Sequence, residues 1–139
     1  MRQFDTSGDV ESLSKLFGSS GVRGLVNVNL TPVLAAQIGM AVAAFSKANK
    51  VLVARDTRSS GVMLANALVS GLLSGGANVE DMGILPTPVL AFLTHRLEAG
   101  VGVMITASHN PPQYNGIKIF HSDSMAYDEQ SQNAIEKII

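Results

Sequence analysis

Apolar residues recur along this chain with two different periods, and the switches between them divide it into alternating elements. Thr31 has the side chain of an N-cap and Pro32 suits a first helical position; Val33, Leu34, Ile38, Ala41, Val42 and Phe45 then follow at helical spacing, predicting a first helix. Lys50 to Arg55 is a short β-branched run that reads as a strand. The loop 56–61 leads from it into an uncharged helix over about 61–74, stopped by Gly75 and Gly76. Residues 79–82 form a weak strand. Thr87 and Pro88 open a short helix with the same four letters, T-P-V-L, that open the first, a repeated capping signal rather than a repeat architecture. The strongest strands are 101–105 and 117–120, and 128–139 is a final helix. Strands alternating with helices imply a three-layer α/β domain with a mixed, mainly parallel sheet between helices. The last two strands are close enough in sequence to pair antiparallel.

Between those two strands the chain reads Thr106-Ala-Ser-His-Asn-Pro-Pro-Gln-Tyr-Asn-Gly-Ile-Lys118. A strand that ends at Thr106 presents the Ser108 hydroxyl and the His109 imidazole at the end of the sheet, where open α/β sheets bind ligands. Asn110, Pro111, Pro112, Asn115 and Gly116 make a rigid turn before the next strand brings in Lys118. Composition alone favours an ordinary polar connection between strands, since loops are normally polar and turn-rich.

Two strings decide between these readings. T-A-S-H-N-P-x-x-x-N-G-I-K resembles the active-site signature of the α-D-phosphohexomutases, the family of phosphoglucomutase, phosphomannomutase and phosphoglucosamine mutase, and Leu16-Phe-Gly-Ser-Ser-Gly-Val-Arg-Gly24 resembles that family's N-terminal motif. Between them, Ala54-Arg-Asp-Thr-Arg-Ser-Ser60 is similar to the segment preceding the family's second helix. The resemblance runs from about Leu16 to the C-terminus. It divides the chain into an N-terminal extension, 1–15, and the family's first domain, 16–139.

The resemblance implies a phosphoserine at Ser108, which passes its phosphoryl group to a hexose 1- or 6-phosphate and recovers one from the other end of a hexose 1,6-bisphosphate. A phosphorylated serine carries about −1.5 to −2 charges, and transfer relies on cations placed around it. His109 either orients the phosphoryl group and moves a proton, or anchors the loop from behind; sequence spacing leaves both open. Lys118 is read as a cation or desolvated base facing the phosphoryl group. Arg23, with Ser20 and Asn110, is read as phosphate-binding: Gly18 to Gly24 is a glycine-rich segment whose amides approach a phosphate and whose arginine supplies a bidentate charge. Because no Lys-Ser or Lys-Thr follows and no clear strand precedes, this segment fits neither nucleotide-binding fingerprint. Arg55, Asp56 and Arg58 form a smaller cluster, read chiefly as a structural ion-pair loop and secondarily as part of the same cleft. Family members hold one Mg²⁺ between the phosphoserine and an aspartate-rich loop of a later domain. No such loop occurs here, and Asp123 and Asp128 lack the spacing of a metal cage, so Ser108, through its phosphate, is the only ligand this chain offers.

Composition agrees with one domain of such an enzyme. A chain of 139 residues can bury a core, and its 15% charged residues fall below the roughly 25% of ordinary domains, as expected if further domains cover part of the surface. The helix at 128–139 has no stop signal, which points to missing downstream domains and to a chain that is inactive alone. Net charge is −1, which leaves no basic field for nucleic acid or an anionic membrane. No cysteine is present, excluding disulfides and thiolate metal sites. Residues 1–15 lack the apolar core of a signal peptide, and a cytoplasmic address is the expectation. No charge falls between Arg58 and Glu80, but Asn66, Ser70 and Ser74 recur at helical spacing, so that stretch reads as a buried amphipathic helix rather than a membrane span. The rival to an enzyme is a non-catalytic sugar-phosphate-binding module on the same fold. Which hexose phosphate is bound is not legible in this segment.

Overall fold

The computed structural model describes residues 15–139. A short hairpin of β1, Phe17–Gly18, and β2, Gly21–Leu25, leads to α1, Pro32–Ser46; β3, Lys50–Arg55, is followed by α2, Gly61–Ser74, and β4, Asn78–Ile84. Helix α3, Thr87–Arg96, returns the chain to β5, Val101–Ile105, which pairs with β6, Tyr114–His121, before α4, Glu129–Glu136. The six strands form one sheet in the order β1-β2-β6-β5-β3-β4.

Period-two alternation sorts the strand side chains onto two faces. Val22, Val51, Val53, Val103, Ile105, Ile117 and Ile119 pack with Ile38 of α1, Leu64 and Leu68 of α2 and Ile135 of α4. Leu52, Ala54, Met104 and Phe120 turn the other way and pack with Leu90 of α3. Burying a side chain such as Leu52, wholly inaccessible in the fold, stabilises by about 1.5–3 kcal/mol. Helices α1 and α2 touch backbone to backbone: a Cβ on Gly71 would collide with the Ala36 carbonyl, and one on Gly39 with that of Leu68.

The mixed sheet between helices is as expected, but its balance is not mainly parallel. Only β3–β4 and β3–β5 are parallel, whereas β1–β2, β2–β6 and β5–β6 are antiparallel. The parallel pairs are reached through the α2 and α3 crossovers, and the short β1–β2 and β5–β6 connections return the chain antiparallel; β2 meets β6 antiparallel by a long-range pairing that no short connection dictates. Strands β4 and β6 are longer than their apolar runs, since ladder bonds extend over the polar ends. The two T-P-V-L strings also differ. Thr31 caps α1, its Oγ1 accepting from Leu34 N at 3.1 Å, whereas Thr87 lies inside α3, whose cap is the extended Pro86 with no side-chain capping bond. In α4 the Asp128 carboxylate accepts from Ser131 N at 2.8 Å. Of the expected N-terminal extension, 1–14 lies outside the described residues, and Lys15 ion-pairs with Glu129 at 2.6 Å. No helix among the described residues is long and apolar enough to cross a membrane.

Candidate active site

Strands β3 and β5 run parallel and end side by side, with Asp56 N donating to Ile105 O at 3.0 Å. The loops that follow, 56–60 and 106–113, therefore lie against each other at the carboxyl ends of the strands. Ser108 sits in the second loop, exposed, with φ of +55°. That left-handed conformation is uncommon for a residue with a Cβ. Its amide donates to Thr106 Oγ1 at 3.0 Å, and its hydroxyl accepts a 3.0 Å hydrogen bond from Arg23 Nη2.

Arg23 arrives along β2. It is paired with Gly116 of β6, and because Val22 and Ile117 enter the α1/α2 core, Arg23 emerges on the opposite face. A Cβ at Gly116 would lie 3.0 Å from Arg23 Cγ and closer still to the carbonyls of Thr106 and Val22. Glycine at 116 thus leaves the path along which the guanidinium reaches Ser108. Arg23 Nε is buried with no hydrogen-bond partner among the described residues, a costly state for a charged group's donor. Arg23 thus meets Ser108 through Nη2 while its Nε donor is unused among the described residues.

Arg58 differs in this respect. Its Nε donates to Asp56 Oδ2 at 3.1 Å, Nη1 to the carbonyls of Pro111 and Tyr114 at 2.8 and 3.0 Å, and Nη2 to those of Ser108 and Asn110 at 3.0 and 2.8 Å. A guanidinium has five N–H donors, and all five are used. Asp56 in turn accepts from Thr106 Oγ1 at 2.7 Å and from Arg58 N at 3.0 Å. The cluster read from sequence chiefly as an ion-pair loop is the clamp on the Ser108 loop. Sequence reasoning missed Thr106 as a partner and the extent of Arg58's grip; the signal available was the A-R-D-T-R-S-S string itself.

The remaining expected residues fall differently. His109 is exposed and makes no hydrogen bond among the described residues, so the anchor of the loop is Arg58 and not the imidazole. Asn110 contributes through its backbone, its amide bonding Ala107 O at 3.1 Å and its carbonyl the Arg58 fork. Lys118 shares a sheet face with Arg23, and its ammonium lies 5.5 Å from the centre of the Phe120 ring rather than on Ser108. Ser20 occupies the β1–β2 turn without a hydrogen bond to the Ser108 loop among the described residues. The glycine-rich segment is a hairpin and not a free loop: Gly21–Leu25 is a strand paired with β1 and β6.

A shallow cleft of ≈ 410 Å³ opens here, lined by Asp56, Thr57, Arg58, Ser59, Ser108, Asn110 and Pro112. A larger one of ≈ 680 Å³ lies elsewhere, between Phe45 and α4. Ser108 lines the smaller cleft and not the larger. No group of three or more metal-ligating side chains occurs among the described residues. Both Asp56 oxygens are already occupied by Arg58 and Thr106. The described residues do not make a metal cage among themselves.

Comparison with known proteins agrees with this geometry. The profile described as phosphoglucomutase/phosphomannomutase, alpha/beta/alpha domain I, matches residues 14–139. The chain belongs to this family. Similar relatives of the phosphoglucomutase/phosphomannomutase family include the phosphopentomutase of Thermococcus kodakarensis, 50% identical over 125 residues and covering 90% of this chain and 27% of the relative. The phosphoglucosamine mutase of Helicobacter pylori is 48% identical over 128 residues, covering 89% and 29%. A crystal structure of a phosphoglucomutase/phosphomannomutase family protein from Burkholderia thailandensis superposes with a TM-score of 0.78 at 32% identity, covering 89% of this chain and 30% of that one. The chain therefore spans less than a third of the length of these relatives.

Proposed function

We propose that this domain belongs to a phosphohexomutase in which Ser108 is the phosphoryl carrier. The observation that carries the reading is the 3.0 Å bond from Arg23 Nη2 to the hydroxyl of a serine held in a left-handed turn. In the first half-reaction a sugar hydroxyl attacks the phosphorus of phosphoserine 108, the P–Oγ bond breaks, and the sugar becomes a 1,6-bisphosphate. After the sugar reorients, Ser108 Oγ attacks the other phosphorus and the isomeric monophosphate leaves, so phosphate and charge balance over the cycle. In this reading Arg23 stabilises the anionic phosphoryl group, Lys118 adds a second cation from the same sheet face, and His109, exposed beside Ser108, exchanges a proton with the sugar hydroxyl. Ser20 and the Asn110 side chain are assigned to phosphate binding on the family resemblance.

Mg²⁺ at the phosphoserine would need ligands from outside this chain, with Ser108 contributing only through its phosphate, and no step above depends on it. Downstream domains would supply those ligands and the sugar contacts. The names of the relatives span an amino-hexose and a pentose mutase; hexose phosphate in the cytoplasm is our reading within that sugar-phosphate class. The test is Ser108→Ala in the full-length protein. Intact mass should show one phosphate on the wild type and none on the variant, with mutase activity lost and the fold kept. A fully active alanine variant would exclude the phosphoserine. Wild type that binds hexose phosphate without turnover or phosphate would instead establish the binding-module reading.

A further inference from the structure

We infer that Arg58, Asp56 and Thr106 form a closed hydrogen-bonded ring that holds Ser108 in its left-handed conformation, and that they are positioning residues for chemistry at its hydroxyl. The inference rests on Ser108 being the phosphoryl carrier.

A left-handed φ at a non-glycine residue is sterically disfavoured and persists only where the surroundings over-determine it. Here both backbone polar groups of Ser108 are held. The amide donates to Thr106 Oγ1 at 3.0 Å, and the carbonyl accepts from Arg58 Nη2 at 3.0 Å. The two holders are joined through one carboxylate oxygen, Asp56 Oδ2, which accepts from Thr106 Oγ1 at 2.7 Å and from Arg58 Nε at 3.1 Å. The path from Ser108 N through Thr106, Asp56 and Arg58 back to Ser108 O is therefore closed.

Three features separate this ring from a phosphate-binding cluster. Arg58 has spent all five donors on Asp56 and backbone carbonyls, so it has none for an anion. The Asp56 charge is balanced by Arg58 within the ring. The Thr106 hydroxyl donates to Asp56 and so can only accept from Ser108 N, which fixes the direction of the whole path. What remains outside is the Ser108 hydroxyl, offered to Arg23. Phosphoryl transfer depends on the placement of its oxygen to a fraction of an ångström, and misplacement by about 1 Å costs on the order of 10²-fold in rate.

Thr106→Val keeps the shape and removes the hydroxyl through which the ring closes. In the full-length protein, assayed with glucosamine 6-phosphate, Mg²⁺ and glucosamine 1,6-bisphosphate, it should lower kcat by at least about tenfold with little change in KM or Tm, a split that a purely structural role would not give. Thr106→Ser should restore the rate, and Arg58→Lys, which keeps the charge but not the fork, should not. A crystal structure of Thr106→Val should show Ser108 outside the left-handed region. Wild-type kcat in Thr106→Val, or an unmoved Ser108 in its crystal structure, would overturn the inference. Failure of the underlying reading shows separately, as a wild type without mutase activity or phosphate on Ser108; the crystallographic arm still tests the ring in that case.

Discussion

The Arg23 guanidinium and the Ser108 hydroxyl, 85 residues apart in sequence, meet at 3.0 Å. Arg23→Met should therefore remove a charge acting on the transferring group, lowering kcat of the full-length protein by about 10²–10³-fold. Because Arg23 Nε is buried without a partner among the described residues, the variant should lose little thermal stability. A large fall in Tm with an unchanged rate per folded molecule would contradict this.

Gly116→Ala should harm both fold and site. The new Cβ would meet the carbonyls of Thr106 and Val22 and the stem of Arg23, and overpacking of this kind costs about 1–3 kcal/mol. Chemical denaturation of the isolated domain should report the loss, and the full-length variant should also lose activity beyond its loss of folded protein. Wild-type stability would show that β2 and β6 can separate to admit a methyl group.

Lys118→Met tests whether a cation on the Arg23 face takes part. The ammonium rests over Phe120 at 5.5 Å, a contact worth only about 0.5–1 kcal/mol at an accessible site. We expect a marked fall in kcat and a small change in Tm. An unaltered rate would assign Lys118 to its contact with Phe120 alone.

Stability should fall at alkaline pH through Tyr127. Burial beneath Phe45 and against His121 pushes its pKa up from 10.0 to about 12. With the folded pKa above the unfolded one, the folded state holds the proton more tightly, so the contribution is complete below about pH 10 and is lost as pH rises toward 12. Thermal melts over that range should decline less steeply for Tyr127→Phe than for the wild type. Parallel curves would show that the phenol ionises without cost.

The isolated chain should fold and yet show no mutase turnover. Its core is extensive on both sheet faces, but no metal cage is present among the described residues and the chain covers only 27–29% of the mutases it resembles. Incubation with glucosamine 6-phosphate, Mg²⁺ and the bisphosphate should give no product. Turnover at about 10 per second, an ordinary enzyme rate, would show that the chain suffices by itself.

Local chemistry made much of this protein legible in its sequence. The bounds of β3, α2 and β5 follow from β-branched runs, an uncharged periodic stretch and the Gly75-Gly76 stop, because each depends on residues only a few positions apart. Ser108 was legible for a different reason: its motif resembles a known signature. The strand identity of Gly21–Leu25 was not legible, since a glycine-rich run becomes a strand only when β6 supplies its hydrogen-bond partners. The same holds for the sheet's balance of directions and for the partners of Arg58, whose five donors go to groups at 56, 108, 110, 111 and 114. Sequence thus determined which elements form and which hydroxyl is the candidate carrier. Arg23 was read toward the phosphate from its motif, but only the tertiary structure decided that Arg58 holds the Ser108 loop and through which groups, because a guanidinium's role is set by how many of its donors the fold has already satisfied.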